Sequence, residues 1–199
     1  MKPEKTIAKL REGGPLTIVA LGDSLTQGWM VRKGYLDFLE EMLVEKYPRS
    51  SPAILNRGIP GDTAEGGLQR VRIDVIDENP DCALIQFALN DAFSGYSAEV
   101  FRNNIQAIIS NIRNSTEAEI VLVSSVCLGS IPEDRMANRF YSQLEDLSQE
   151  NGLPFVRVHE YWRRKIVEGV EFRKLVQFDQ VHPTVEGYRL MAEAIMQVF

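Results

Sequence analysis

With 199 residues, 44% of them hydrophobic and 25% charged, the chain is long enough to bury a substantial core and short enough to form one domain, residues 1–199. A formal net charge of −6 excludes the clustered cationic surface that nucleic-acid binding requires. Two cysteines, Cys82 and Cys127, are too few for a disulfide framework and lack metal-ligand spacing, so both are expected to pack as small buried hydrophobes. No segment approaches the roughly 18 consecutive apolar residues of a membrane span. Residues 1–11 carry Lys2, Glu4, Lys5, Lys9 and Arg11 and lack the apolar centre of an export signal, so the chain reads as cytoplasmic unless a leader has been trimmed.

In chain order, Gly13-Gly14-Pro15 breaks a short leading helix from Leu16–Leu21, an apolar, β-branched run of strand length. Leu36, Leu39, Met42 and Leu43 then mark one helical face, and Ala53–Asn56 and Ala83–Phe87 read as the second and third strands. Phe101, Ile105, Ile108, Ile109 and Ile112 define a further helical face closed by Asn114-Ser115. Ile120–Ser124 is the fourth strand; Leu144 and Leu147 predict a helix from about Arg135 to Glu150; Pro154–Val158 is the fifth strand. A last helix is expected to open near Pro183-Thr184, with the proline in its first turn and Leu190, Met191, Ala194, Ile195 and Val198 facing inward. Strands alternating with helices predict a three-layer α/β/α sandwich, its five-stranded parallel sheet in the order 2-1-3-4-5 and built from right-handed βαβ units. The binding crevice then lies at the carboxyl ends of the strands beside the first one.

Ser24 stands at that place, in Gly22-Asp23-Ser24-Leu25-Thr26, directly after the first strand. A serine hydroxyl is a poor nucleophile without a base within hydrogen-bond reach. The chain has two histidines. His182 lies in Asp179-Gln180-Val181-His182, with an acid three residues ahead able to hold its imidazole, whereas His159, at the end of the fifth strand, has no such partner and reads as structural or surface. Two further loops offer donors for an oxyanion: Gly61, in Ile59-Pro60-Gly61-Asp62-Thr63, by an unobstructed backbone N–H, and Asn90, in Ala88-Leu89-Asn90-Asp91, by an amide that stays uncharged.

These four blocks resemble those of the SGNH hydrolases, the GDSL esterases and lipases, in order and across nearly the whole chain. Gly22-Asp23-Ser24-Leu25 is similar to the nucleophile block, Gly61 to the glycine block, Ala88-Leu89-Asn90-Asp91 to Gly-x-Asn-Asp and Asp179-Gln180-Val181-His182 to Asp-x-x-His. One position departs, Ala88 standing where the family usually has glycine. The resemblance implies a flavodoxin-like SGNH fold, and with two histidines and no His-Glu-x-x-His or paired-cysteine motif neither metal nor cofactor is expected. It also implies a serine esterase in which Ser24 attacks an acyl ester or thioester, His182 takes its proton and Asp179 orients the imidazole. The Ser24 and Gly61 N–H groups and the Asn90 amide would meet the oxyanion. Trp29, Phe93 and Phe178 are expected near the crevice as a substrate wall, suited to a lipid-type or small acyl group or, alternatively, to an acetylated sugar.

Other readings fit less well. The Gly-x-Ser-x-Gly elbow of α/β-hydrolases would need glycine where Thr26 stands, and no phosphate-loop or dinucleotide fingerprint is present. A catalytically silent small-molecule binder on the same fold is the alternative of another class; retention of Ser24, His182 and Asn90 weighs against it. The acyl-enzyme passes to water in a hydrolase and to an alcohol in an acyltransferase, and sequence does not separate the two.

Overall fold

A computed structural model describes residues 1–199. Its strands are β1 (Gly14–Gly22), β2 (Ser50–Gly58), β3 (Cys82–Gln86), β4 (Glu119–Val123) and β5 (Phe155–Val156). They form one parallel sheet in the order β2-β1-β3-β4-β5, as the alternation of elements predicts. β1 and β3, inside the sheet, have apolar centres because helices cover both faces; from Ile18 to Leu21 and from Cys82 to Ile85 no residue is measurably exposed.

The helices are α1 (Glu4–Glu12), α2 (Ser24–Gln27), α3 (Tyr35–Lys46), α4 (Ala64–Val71), α5 (Leu89–Phe93), α6 (Ala98–Ser115), α7 (Ile131–Asn151), α8 (Val158–Val167), α9 (Phe172–Leu175) and α10 (Val185–Met196). A π-helical turn, Arg72–Ile76, continues α4. One layer packs α10 against α3 and α8, and the other packs α6 against α4 and α7. α6 shows why such a helix forms. Ser97 caps it, its hydroxyl accepting from Val100 N–H at 3.2 Å, and Phe101, Ile105, Ile108, Ile109 and Ile112 repeat at helical spacing. All five are fully buried, each stabilising the fold by about 1.5–3 kcal/mol.

Several boundaries differ from expectation. α7 opens at Ile131 rather than near Arg135, because Pro132, Glu133 and Asp134 supply the proline and acids that suit a first helical turn. The fifth strand is only Phe155–Val156, since Val158 already starts α8. His159 therefore sits in the first turn of a helix, not at a strand end. Pro183 lies just outside α10: Thr184 is the N-cap, its hydroxyl accepting from Gly187 N–H at 3.2 Å. Cys82 and Cys127 are both free and buried.

Candidate functional site

β1 ends at Gly22, and Asp23 turns the chain into α2, accepting from Leu25 N–H at 2.9 Å as N-cap. Ser24 is the first residue of that helix, so its own N–H has no intrahelical acceptor. Gly22 has to be glycine. A Cβ there would lie 2.2 Å from Thr26 Oγ1 and 2.7 Å from the Gln86 carbonyl oxygen, because α2 folds back tightly on the ends of β1 and β3.

Ser24 Oγ lies 2.8 Å from His182 Nε2, and His182 Nδ1 lies 2.6 Å from Asp179 Oδ2. The other Asp179 oxygen, Oδ1, accepts from the N–H groups of Val181 at 3.0 Å and His182 at 2.9 Å, so Asp179 is fixed by the turn that carries His182. Gln180 adopts a left-handed φ of +63° to close that turn. Partial burial acts to raise the Asp179 pKa, but the two N–H bonds and the imidazole outweigh it and hold the carboxyl below its ordinary range.

The glycine loop and the Asn90 loop are tied together. Asn90 Nδ2 donates to the Asp62 carbonyl at 2.8 Å, and Ala64 N–H donates to the Asp91 carboxylate at 3.1 Å. Gly61 has a φ of +79° with open space beside it, and its N–H has no acceptor within the protein. Ala88 takes a φ of +150°, a region that favours glycine; the backbone keeps the shape a glycine there would give, at a strain of about 1–3 kcal/mol.

A guanidinium braces this assembly. Arg70 donates to the Gly22 carbonyl at 2.9 Å, the Arg57 carbonyl at 2.8 Å, Asp62 Oδ2 at 2.8 Å and Asp74 Oδ2 at 2.6 Å, joining the ends of β1 and β2 to the glycine loop. Beneath Ser24, Gln86 accepts from Thr26 Oγ1 at 2.7 Å and donates to Ser125 Oγ at 2.9 Å and Asp23 Oδ2 at 3.3 Å. Burial pushes the carboxyls of both Asp23 and Asp91 up to about 7. Arg70 and Gln86 were not singled out in the sequence. Gln86 left a signal, a polar residue closing an otherwise apolar strand; Arg70, on a helix between other charged residues, left none.

A cleft of about 190 Å³ opens over the pair, lined by Ser24, Leu25, Leu89, Asn90, Phe93, Val181 and His182 with Asp23 and Asp179. Of the three residues expected as its wall, Phe93 lines it. Trp29 instead lies tilted against the His182 ring, centroids 4.2 Å apart, and Phe178, 78% exposed, lies outside the lining. A larger hollow of about 300 Å³, lined by Lys2, Lys5, Arg113 and Glu119 among others, lies at the opposite end of the sheet and holds no serine, cysteine or histidine. His159 is internal: Ser124 Oγ lies 2.7 Å from its Nδ1, Tyr141 stacks on it at 4.6 Å, and burial drives its pKa down to about 3. No cluster of three or more His, Cys, Asp or Glu side chains is arranged to hold a metal, and no helix is long and apolar enough to cross a membrane.

Known proteins are similar to this chain in sequence or in structure. An arylesterase of Vibrio mimicus is 27% identical over 188 residues, covering 90% of this chain and 86% of its own. An acetylxylan esterase of Geobacillus stearothermophilus is 21% identical over 211 residues, covering 94% and 95%. Its crystal structure superposes with a TM-score of 0.83 at 20% identity, again over 94% of this chain and 95% of its own, a likeness of fold. The GDSL-like lipase/acylhydrolase family matches residues 20–190, from the end of β1 into α10 and through all four site blocks, and the chain belongs to that family.

Proposed function

We propose that the chain is a serine esterase cleaving short acyl esters through an acyl-enzyme, with Ser24 as nucleophile, His182 as general base and Asp179 orienting the imidazole. The observation that carries this reading is the Ser24–His182–Asp179 chain of 2.8 and 2.6 Å contacts on the wall of a cleft. Family membership supplies the reaction class, hydrolysis of carboxylic esters.

In this reading His182 Nε2 takes the Ser24 proton as Oγ attacks the acyl carbon, and Asp179 steadies the imidazolium that forms. The depressed pKa of Asp179 keeps it anionic for that role. Negative charge on the carbonyl oxygen meets the Ser24 and Gly61 N–H groups and the Asn90 amide, one of whose hydrogens already anchors it to Asp62. His182 then returns the proton to the leaving oxygen, and water repeats the attack to free the acid and restore Ser24.

The size of the cleft argues for a short acyl group. At about 190 Å³ it is smaller than the roughly 300–1,000 Å³ of pockets that enclose drug-sized ligands, and Leu25, Leu89, Phe93 and Val181 supply its apolar lining. An acetylated sugar is the second reading; a small cleft holds an acetyl group equally well, and one relative is named an acetylxylan esterase. The test is a chain-length series of p-nitrophenyl esters beside acetylated xylo-oligosaccharides, run on the native chain and on Ser24→Ala. We expect kcat/KM to peak at two to four carbons, and Ser24→Ala to lose activity by up to ~10⁶-fold. Turnover undiminished in Ser24→Ala, or a rate that climbs steadily with acyl length, would refute the assignment of nucleophile or of acyl site respectively.

A further inference from the structure

Trp29 occupies a place that the scheme above leaves unused. Its indole lies over the His182 imidazole, ring centroids 4.2 Å apart and planes inclined by 35°. It is absent from the lining of the cleft. Its backbone is pinned at both ends. Trp29 N–H donates to the Ser24 carbonyl at 3.1 Å, and the Trp29 carbonyl accepts from Gln177 Nε2 at 3.0 Å.

Gln177 makes the same link from the other side. Its Nε2 also donates to the Pro183 carbonyl at 2.8 Å, and its backbone N–H donates to the His182 carbonyl at 2.7 Å. One amide side chain thereby straps the loop that carries the nucleophile to the loop that carries the base, across 148 residues of sequence.

The chemistry favours an aromatic face at this position. When the Ser24 proton moves to His182 Nε2 the ring becomes a cation, and a cation over an indole face is attracted by the ring quadrupole, tryptophan giving the strongest such contact. The His182 side chain is only 20% exposed, so water screens the contact weakly. The attraction is stronger for imidazolium than for imidazole and therefore larger in the transition state than in the substrate complex, which raises kcat without tightening KM.

We propose that Trp29 is a positioning residue of the acyl transfer, its indole holding the His182 ring against Ser24 and stabilising the imidazolium formed there, with Gln177 holding Trp29 in place. This rests on the reading of Ser24 as nucleophile and His182 as base. The proton balance is unchanged: from Ser24 Oγ to Nε2 to the leaving oxygen on acylation, and from water to Nε2 to Ser24 Oγ on deacylation.

The test compares Trp29→Leu, Trp29→Phe, Gln177→Leu and the Trp29→Leu/Gln177→Leu pair with the native chain and Ser24→Ala on p-nitrophenyl acetate, folding being checked by circular dichroism. Trp29→Leu is expected to lose kcat about tenfold, about 1.4 kcal/mol, with KM nearly unchanged. Trp29→Phe, which keeps an aromatic face, recovers most of that loss. Gln177→Leu loses kcat by a few-fold, and the pair loses little more than Trp29→Leu alone because both act on one imidazole. A Trp29→Leu kcat equal to the native value, an effect confined to KM, or losses that multiply in the pair would overturn the proposal while leaving the nucleophile in place. If Trp29→Leu does not fold, Gln177→Leu decides, and a native kcat in it overturns the proposal. An active Ser24→Ala overturns the underlying reading instead.

Discussion

Asp23, next to the proposed nucleophile, makes the fold's stability depend on pH in an unusual direction. The residue is 1% exposed, and burial carries its pKa from the ordinary 3.8 up to about 7 against the opposing bonds from Leu25 N–H and the Gln86 amide. Between those two values the folded chain holds a proton that the unfolded chain has released, so stability falls as pH rises through the window. The penalty is absent below 3.8 and complete above 7. A gap of about 3 pH units at about 1.36 kcal/mol each gives about 4 kcal/mol, an order of magnitude for a group this deeply buried. Asp23→Asn removes the titration and keeps an oxygen for the Leu25 N–H. It also sets an amide against Gln86 Nε2, a mismatch that costs about 1–3 kcal/mol at every pH. The informative quantity is therefore the difference between variant and native chain, measured by urea unfolding at pH 4.5 and again at pH 8. Between those conditions the Asn variant should gain about 3 kcal/mol on the native chain. A difference that is the same at both pH values, or that moves the other way, would mean that the two hydrogen bonds outweigh burial and that Asp23 is ionised under Ser24 throughout.

Three further outcomes follow from the geometry. Asn90→Ala removes one donor to the proposed oxyanion and should lower kcat about 10²–10³-fold in an ester assay; an unchanged kcat would take Asn90 out of that role. Gly22→Ala pushes a methyl group to 2.2 Å from Thr26 Oγ1 and 2.7 Å from the Gln86 carbonyl, and since the second contact is backbone of the neighbouring strand, it should destabilise by about 3 kcal/mol or more or abolish soluble expression. Arg70→Lys keeps the charge but cannot span the Gly22 and Arg57 carbonyls and Asp62 together, and should lower Tm by about 6–12 °C on a loss of about 3 kcal/mol; a thermal melt within error of the native one would show that the brace is dispensable.

The sheet order and the four site blocks were legible because each rests on local rules. Buried parallel strands read as apolar runs, and three of the four site blocks start where such a run stops, the fourth, Asp179–His182, lying between α9 and α10. Ser24, Gly61 and Asn90 follow β1, β2 and β3, and the turn chemistry of Gly, Asn and Asp marks those places in the sequence. What local pattern misread were boundaries where two signals overlap. Pro154–Val158 is apolar enough for a strand, yet Val158 and His159 open α8, where the His159 side chain packs inward on Ser124 and Tyr141.

The contacts that hold the site follow a different logic. Gln177 and Trp29 are 148 residues apart, Arg70 and Gly22 are 48 apart, and Gln86 and Asp23 are 63 apart. Each bond runs from a side chain on one loop, helix or strand to backbone or carboxylate on another element, so neither partner imposes a pattern on its own neighbours. Trp29 shows the consequence: an aromatic five residues past Ser24 suggests a substrate wall, but the ring lies against His182, and Gln177 holds its carbonyl from a loop that only the fold brings near. A short sequence motif can therefore specify which groups react while saying nothing of what holds them within hydrogen-bond distance, and Asp23, Arg70, Gln86 and Gln177 are where substitutions should alter rate or stability without touching a reacting atom.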